Sequence, residues 1–179
     1  MAELRAIISA GMPGSGKEEF LIATEPLGLP NVRMGDVVRD EKRRQGLSSP
    51  TGDFAHRERE LHGDDIWALR TLERLDGRPT IIDGCRSHAE VEAFRRILGD
   101  GLKVIALHSD PETRYLRLKA RGREDAPTDR MDFHARDERE MSWGLAKVIA
   151  LADEMIVNDT TLEEFHLRCV ETARMVMGD

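Results

Sequence analysis

The sequence predicts an α/β fold with a parallel β-sheet in one domain. Short apolar runs rich in β-branched residues alternate with segments of helical periodicity, which is typical of βαβ units. A glycine-rich segment, residues 11–17, directly follows the first apolar run and precedes a helical segment. The 179 residues, 40% hydrophobic and 34% charged, are enough for one well-solvated domain with a sizeable core.

Five apolar runs are predicted to be the strands, and they span residues 4–10, 31–34, 80–83, 104–108 and 154–158. Helices are predicted to begin at two capping boxes, Ser87 with Glu90 and Thr161 with Glu164, and at Asp110, which precedes a proline. Residues 39–75 are predicted to be mostly helical, with an interruption at 46–52. Residues 121–130 are charged and turn-forming, which predicts an exposed loop.

Composition excludes several classes of function. The net charge of −7 disfavours a general nucleic-acid binder, although it leaves local basic patches open. The two cysteines have no metal-binding spacing, and a reduced cytoplasmic setting is the expectation. The apolar runs are too short to cross a membrane, and the first ten residues show no signal peptide.

The segment Gly11-Met-Pro-Gly-Ser-Gly-Lys17 matches the GxxxxGK pattern of a phosphate-binding loop, or P-loop. Its glycines let backbone N–H groups turn toward phosphate oxygens, and the following helix presents its N-terminus to the anion. Lys17 would reach the β and γ phosphates. An ordinary glycine-rich turn is the competing interpretation. The predicted nucleotide-binding residues are Gly11, Met12, Pro13, Gly14, Ser15, Gly16, Lys17, Glu18 and Glu19.

Two acidic residues are relevant to how a magnesium ion would be bound. Glu18 follows Lys17 at the position where a serine or threonine usually ligates magnesium, and it cannot supply a hydroxyl. Asp83 ends an apolar run in Ile-Ile-Asp-Gly, which resembles a Walker B arrangement that orients hydrated magnesium. We therefore predict that Asp83 holds Mg²⁺ through water, although Asp-Gly is also a common turn.

A second group of residues suits an acceptor molecule. The segment Met-Gly-Asp-Val-Val-Arg, residues 34–39, follows the second predicted strand, where P-loop kinases dock the acceptor. Gly35, Asp36 and Arg39 are predicted to bind it, with Asp36 also close to the γ phosphate. Arg86 is a further candidate for an acceptor phosphate. The alternatives are a helix cap for Asp36 and a solvated surface position for Arg86.

Arginines cluster on both sides of the charged segment. Phosphoryl transfer spreads negative charge over the equatorial oxygens, so arginines that close over the site would stabilise it. We predict catalytic roles for Arg121 and Arg136 and acceptor binding by Arg123 and Arg139. Helical salt bridges with the neighbouring acidic residues are the alternative interpretation.

Taken together, these segments resemble the adenylate-kinase-like branch of P-loop kinases, and more closely the archaeal adenylate-kinase-related family. The resemblance rests on Gly-Met-Pro-Gly-Ser-Gly-Lys, Met-Gly-Asp-Val-Val-Arg, Ile-Ile-Asp-Gly-Cys-Arg-Ser, Ala-Arg-Asp-Glu-Arg-Glu and Ala-Asp-Glu-Met-Ile-Val-Asn, in the expected order over nearly the whole chain. The last predicted strand and helix are also similar to those of dephospho-coenzyme A kinases.

The resemblance implies a P-loop NTPase three-layer sandwich with a five-stranded parallel sheet in the order 2-3-1-4-5. It implies a single domain over residues 1–179, with a helical acceptor-binding insert at 35–78 and a short lid at 121–135. It also places Asn158 against an adenine ring and implies ATP and Mg²⁺ as cofactors.

The function predicted is transfer of the γ-phosphoryl group of ATP to a small nucleotide-like acceptor such as AMP. A dephospho-coenzyme A kinase is the alternative among enzymes, and a nucleotide-binding switch or ATPase without an acceptor is the alternative outside them. Glu18 favours the second alternative, because it adds negative charge beside the phosphates. An RNA-associated NTPase is disfavoured by the net charge.

Overall fold

The computed structural model describes residues 5–122 and 126–178. Five parallel strands form one sheet in the order β2-β3-β1-β4-β5, with helices on both faces. The strands are β1 (Ala6–Ala10), β2 (Asn31–Arg33), β3 (Thr80–Asp83), β4 (Leu102–His108) and β5 (Glu154–Val157). This confirms the predicted fold class and strand order.

The central strand β1 has helices over both of its faces, which explains why its five residues are all buried. Ile7 packs on one face with helix residues such as Phe20, whereas Ile8 packs on the other with residues such as Phe94. Complete burial of one such side chain stabilises a fold by about 1.5–3 kcal/mol. The alternation of Ile7 and Ile8 therefore anchors both outer layers to the sheet.

The register of β1 determines what meets at the carboxyl edge of the sheet. Ser9 lies beside Asp83 of β3, and Ala10 lies beside Ala106 of β4. The pairing of Ala6 with Leu102 also explains why β4 begins two residues before the predicted run. The segments that follow β1 and β3 therefore emerge side by side, where parallel sheets hold their ligands.

The helices begin where the capping signatures predict. Ser87 Oγ accepts a hydrogen bond of 3.2 Å from the backbone N–H of Glu90. Thr161 caps the last helix in the same way, at 3.3 Å from Glu164 N. The helices are α1 (Lys17–Thr24), α2 (Met34–Arg44), α3 (Thr51–His62), α4 (Ile66–Leu72), α5 (His88–Leu98), α6 (Pro111–Arg121), α7 (Arg130–Ser142), α8 (Leu145–Ala150) and α9 (Leu162–Met177).

Two further regions can be compared with the sequence predictions. Residues 35–78 contain α2, α3 and α4, and the break between α2 and α3 matches the predicted interruption. Residues 130–135 of the predicted lid range belong to α7, because Asp129 caps this helix by accepting from Asp132 N at 2.9 Å. No helix in the described ranges combines the length and hydropathy needed to cross a membrane.

Candidate functional site

A cleft of about 930 Å³ opens at the carboxyl edge of the sheet. This volume lies within the range of small-molecule sites in proteins, roughly 300–1,000 Å³. One end is lined by the P-loop and the start of α1, and the other by α2, α3 and the residues after β3. The cleft therefore joins the two groups of residues for which the sequence predicted different ligands.

The P-loop is packed so tightly that only glycine fits at two positions. Gly14 and Gly16 have φ angles of 83° and 112°, in the left-handed region that favours glycine. A Cβ on Gly14 would lie 2.9 Å from the backbone oxygen of Arg114, and one on Gly16 would overlap Nδ2 of Asn158. Seven of the nine predicted loop residues line the cleft; Met12 and Ser15 do not. The hydroxyl of Ser15 is buried and has no hydrogen-bond partner within the described structure.

Lys17 is folded back over the loop. Its Nζ donates to the backbone oxygens of Gly11 at 2.5 Å and Met12 at 3.3 Å. Burial lowers the pKa of this ammonium to about 8, against the opposing effect of the carboxylates of Asp83 and Glu140. A pKa of about 8 leaves Lys17 mainly protonated at neutral pH, and the residue lines the cleft beside the loop.

Asp83 lines the cleft and accepts a hydrogen bond of 3.1 Å from the hydroxyl of Ser9. No group of three or more His, Cys, Asp or Glu side chains within residues 5–122 and 126–178 could enclose a metal ion. Mg²⁺ retains several waters and is commonly held by one or two carboxylates together with phosphate oxygens. The single Asp83 carboxylate therefore fits a hydrated magnesium ion, and it does not fit an all-protein metal site.

Asn158 anchors the P-loop through a side-chain hydrogen bond. Its Nδ2 donates to the backbone oxygen of Ser15 at 3.0 Å, and its Oδ1 accepts from Arg117 at 3.1 Å. Arg117 also donates to the hydroxyl of Ser109 at 2.8 Å. Asn158 lines the cleft as well, but its amide group is used in these contacts, so its predicted contact with adenine stays a prediction.

A buried ion pair, absent from the sequence predictions, supports the other side of the loop. Arg114 on α6 makes two hydrogen bonds to Asp137 on α7, at 2.9 and 2.5 Å. The same guanidinium donates to the backbone oxygen of Pro13 at 3.2 Å and lies 5.0 Å above the ring of Phe133. The pair therefore joins α6, α7 and the P-loop.

Glu140 is a second residue that the sequence predictions treated only as a salt-bridge partner. It is buried, lines the cleft and pairs with Arg86 at 3.4 Å. Arg86 also stacks 5.3 Å from the ring centre of Trp143. The spacing of Phe133, Asp137 and Glu140 places all three on one helical face, which is the signal that would have indicated their burial.

The end of the cleft opposite the P-loop combines arginines with an apolar wall. Gly35 and Arg39 line it, and Arg39 pairs with Asp36, whose own side chain is exposed. Arg59, another cleft residue that the sequence predictions missed, pairs at 3.0 Å with the buried Glu90. The wall includes buried Trp67 and Cys85, and burial raises the pKa of the Cys85 thiol well above its ordinary value. Cys85 is therefore a packing residue rather than a nucleophile.

The predicted arginines are placed differently from one another. Arg121 and Arg136 line the cleft, and Arg121 forms an ion pair with Glu18. Arg139 is exposed and does not line it, and Arg123 lies outside the described residues. Glu19, also in the cleft, contacts His166 of α9 at 2.8 Å.

Known proteins share both the sequence and the architecture. Residues 7–144 match the family described as AAA domain. A UPF0200 protein of Thermoplasma acidophilum is 42% identical over 168 residues, which cover 91% of this chain and 92% of that protein. A UPF0200 protein of Saccharolobus solfataricus is 39% identical over 181 residues, which cover 97% and 95% of the two chains.

Solved kinase structures share the fold at low sequence identity. A gluconokinase from Sinorhizobium meliloti superposes with a TM-score of 0.62 at 17% identity, covering 99% of this chain and 97% of that one. A shikimate kinase from Acinetobacter baumannii superposes with a TM-score of 0.60 at 13% identity, covering 98% and 94%. Because these relatives match over almost their whole length, the chain belongs to the UPF0200 family, and its residues 7–144 match the AAA domain family.

Proposed function

We propose that this protein is a kinase that transfers the γ-phosphoryl group of ATP to a small nucleotide-like acceptor such as AMP. The observation that carries the proposal is the single cleft that joins Lys17 and the P-loop to Arg39 and Arg86. A donor phosphate at the first end and an anionic acceptor at the second would face each other across Asp83. The gluconokinase and shikimate kinase, which share this fold, act on small molecules, as their names state.

Each residue has a defined part in this proposal. The loop amides and Lys17 hold the donor phosphates, since the first N–H groups of α1 have no partners within the helix. Asp83 would hold a hydrated Mg²⁺, which would supply positive charge to neutralise the donor phosphates. Asp36 pairs with Arg39 on α2 and does not itself line the cleft, and its proposed part is to orient the acceptor near the γ phosphate. Arg121 and Arg136 stabilise the charge that develops on the transferred group.

The same proposal assigns regions of the chain. Residues 35–78 are the acceptor-binding insert of a single domain, because α2 and α3 supply Arg39 and Arg59 to the cleft. The segment between α6 and α7 begins beside Arg121 and is the proposed lid. Asn158 is the proposed contact to adenine, and Arg123 and Arg139 are the further arginines proposed to bind the acceptor.

The test is ADP production from magnesium-ATP, measured with AMP, CMP, UMP, dephospho-coenzyme A or no acceptor. A phosphorylated product with one acceptor supports the kinase proposal and identifies the substrate. If that product comes from dephospho-coenzyme A, the proposed acceptor is this larger molecule and not AMP. Equal ADP in every reaction would show an ATPase. No ADP in any of them would favour a nucleotide-binding switch.

Replacement of Lys17 is the matched test of the donor site. We expect Lys17→Ala to reduce turnover by at least about 100-fold, because a phosphate in the loop loses its buried cation. The fold should persist, since a charge that is costly to bury has been removed. Circular dichroism and thermal unfolding check the fold, and wild-type turnover in a folded variant would contradict the site.

A further inference from the structure

We propose that Glu18 is a positioning residue that holds Arg121 over the terminal phosphate of the bound nucleotide. The inference rests on the proposed function and explains the unusual residue after Lys17. Glu18 lies in the first turn of α1, and Arg121 is the last residue of α6. The two side chains form an ion pair, and both line the cleft.

The surroundings of Arg121 explain why it needs a partner. Arg121 is the exposed last residue of α6, which ends at Gly122 with a φ of 57°, so it is not one of the residues that α6 buries against the core. An arginine side chain at such a position has many rotamers, and ordering it costs conformational entropy. The carboxylate of Glu18 restricts that freedom at the mouth of the P-loop.

The chemistry of the two groups allows this arrangement. A guanidinium presents five N–H donors in a planar fork, so one edge can hold a carboxylate while another binds a phosphate oxygen. Glu18 alone would repel phosphates, although a carboxylate in the first turn of a helix is favourable to the helix itself. Its pairing with Arg121 offsets the repulsion and brings a cation to the donor site.

The pair contributes little to stability. The side chains of Glu18 and Arg121 are 37% and 36% exposed, and ion pairs of this kind are screened by solvent. Substitutions at either residue should therefore leave the fold intact. A direct effect of Glu18 on magnesium is the competing explanation, and it does not involve Arg121.

A double-mutant cycle separates these explanations without requiring turnover. The variants are Glu18→Gln, Arg121→Gln and the double variant, and calorimetry measures the affinity of each for ADP and for a non-hydrolysable ATP analogue, with Mg²⁺ and with EDTA. The ratio of the two affinities reports contact with the terminal phosphate. With Arg121 present, we expect Glu18→Gln to lower the preference for the ATP analogue about tenfold. In the Arg121→Gln background, the same substitution should leave the preference unchanged or raise it, because Glu18 no longer has Arg121 to position while its charge still opposes that of the phosphates.

Other outcomes would overturn the positioning role. An equal fall in both backgrounds would show that Glu18 does not act through Arg121, and a fall seen in both only with Mg²⁺ would make Glu18 a metal ligand. A rise of the preference for the ATP analogue in both backgrounds would show that Glu18 acts only by repelling the phosphates. If the wild-type protein binds neither nucleotide, the proposed function fails as well, whereas binding with additive effects overturns the positioning role alone.

Two further variants complete the design. Glu112→Gln breaks an exposed pair with Arg130 that lies outside the cleft lining, and it should leave the nucleotide preference unchanged. Glu18→Asp keeps the charge and should restore part of the preference. Once an acceptor is known, the same cycle on kcat should show a loss in Glu18→Gln that disappears in the Arg121→Gln background, with little change in KM for the acceptor.

Discussion

At the residue scale, we expect the buried ammonium of Lys17 to couple the proposed nucleotide binding to pH. Its pKa is about 8 in the free protein, mainly because burial disfavours the charged form. A phosphate beside it favours the charged form and raises the pKa, so binding above pH 8 takes up a proton. Below pH 8 the lysine is already charged, and binding requires no proton from this group.

We therefore expect the affinity for ADP to fall between pH 8 and pH 10, by up to roughly tenfold per pH unit. Isothermal calorimetry in two buffers of different ionisation enthalpy would show both the fall and the proton uptake. Lys17→Arg is the matched control, because its guanidinium remains charged over this range. Equal slopes in the two proteins would show that another group is responsible.

The same pKa has a consequence for stability in the absence of ligand. Between pH 8 and the ordinary lysine value of 10.5, the unfolded state binds more protons at this position than the folded state. The contribution of Lys17 to the free energy of unfolding therefore increases as the pH rises through that window. At neutral pH, burial of the charged ammonium lowers the free energy of unfolding.

At the scale of elements, the ion pair of Arg114 and Asp137 links two helices to the P-loop. The side chains are only 5% and 12% exposed, so removal of one leaves the other charged and buried. We expect Arg114→Met and Asp137→Asn each to lower the free energy of unfolding by about 3–5 kcal/mol, measured by urea denaturation.

A double variant provides the control for this prediction. Arg114→Met with Asp137→Leu removes both charges and should recover much of the loss, because no unpaired charge remains. Arg130→Met breaks an exposed pair with Glu112 between the same two helices, and its effect should be small. Additive losses in the double variant would show that the residues act separately.

The sequence predicted elements well where the signal is local. The P-loop, the capping boxes and the strand ending at Asp83 each depend on a few adjacent residues. The sequence did not identify the roles of Arg114 and Asp137, because a charged residue on a helix is usually exposed, and its partner is 23 positions away. Ser9 was missed for a related reason, since its contact with Asp83 arises from strand register across 74 positions.

The site of Glu140 shows the same limit. Within a run of alternating acidic and basic residues, every charge can be assigned a partner along the helix. The charges alone do not show that Glu140 is buried toward the cleft and that Arg139, one residue before it, is exposed; the helical spacing of Glu140 from Phe133 carries that information. Arg139 and Glu140 therefore could not be distinguished from composition alone.

At the scale of the whole molecule, the donor site connects the central strand with both outer layers. A ligand that binds only the folded state stabilises all of it, by about 2.7 kcal/mol at a concentration 100-fold above Kd. For a protein of 179 residues, this corresponds to a rise in Tm of roughly 5–10 °C. We expect this shift with ATP in differential scanning fluorimetry.

Lys17→Ala is the control for the thermal shift, and its Tm should change little when ATP is added. A similar shift in both proteins would indicate that ATP stabilises the molecule from another surface. The shift requires no acceptor, so it tests nucleotide binding separately from phosphoryl transfer.

The contacts that hold the P-loop determine whether its conformational entropy is lost on folding or on ligand binding. The loop is held by hydrogen bonds from Asn158 and Arg114, which lie in different parts of the fold, and Gly16 within it is tightly packed. Such a loop loses its conformational entropy when the chain folds, not when a ligand arrives. On the proposed function, the P-loop half of the cleft would therefore be a rigid template for the donor phosphates. The adaptability needed to enclose an acceptor would then come from the opposite half, where the cleft is lined by helices α2 and α3.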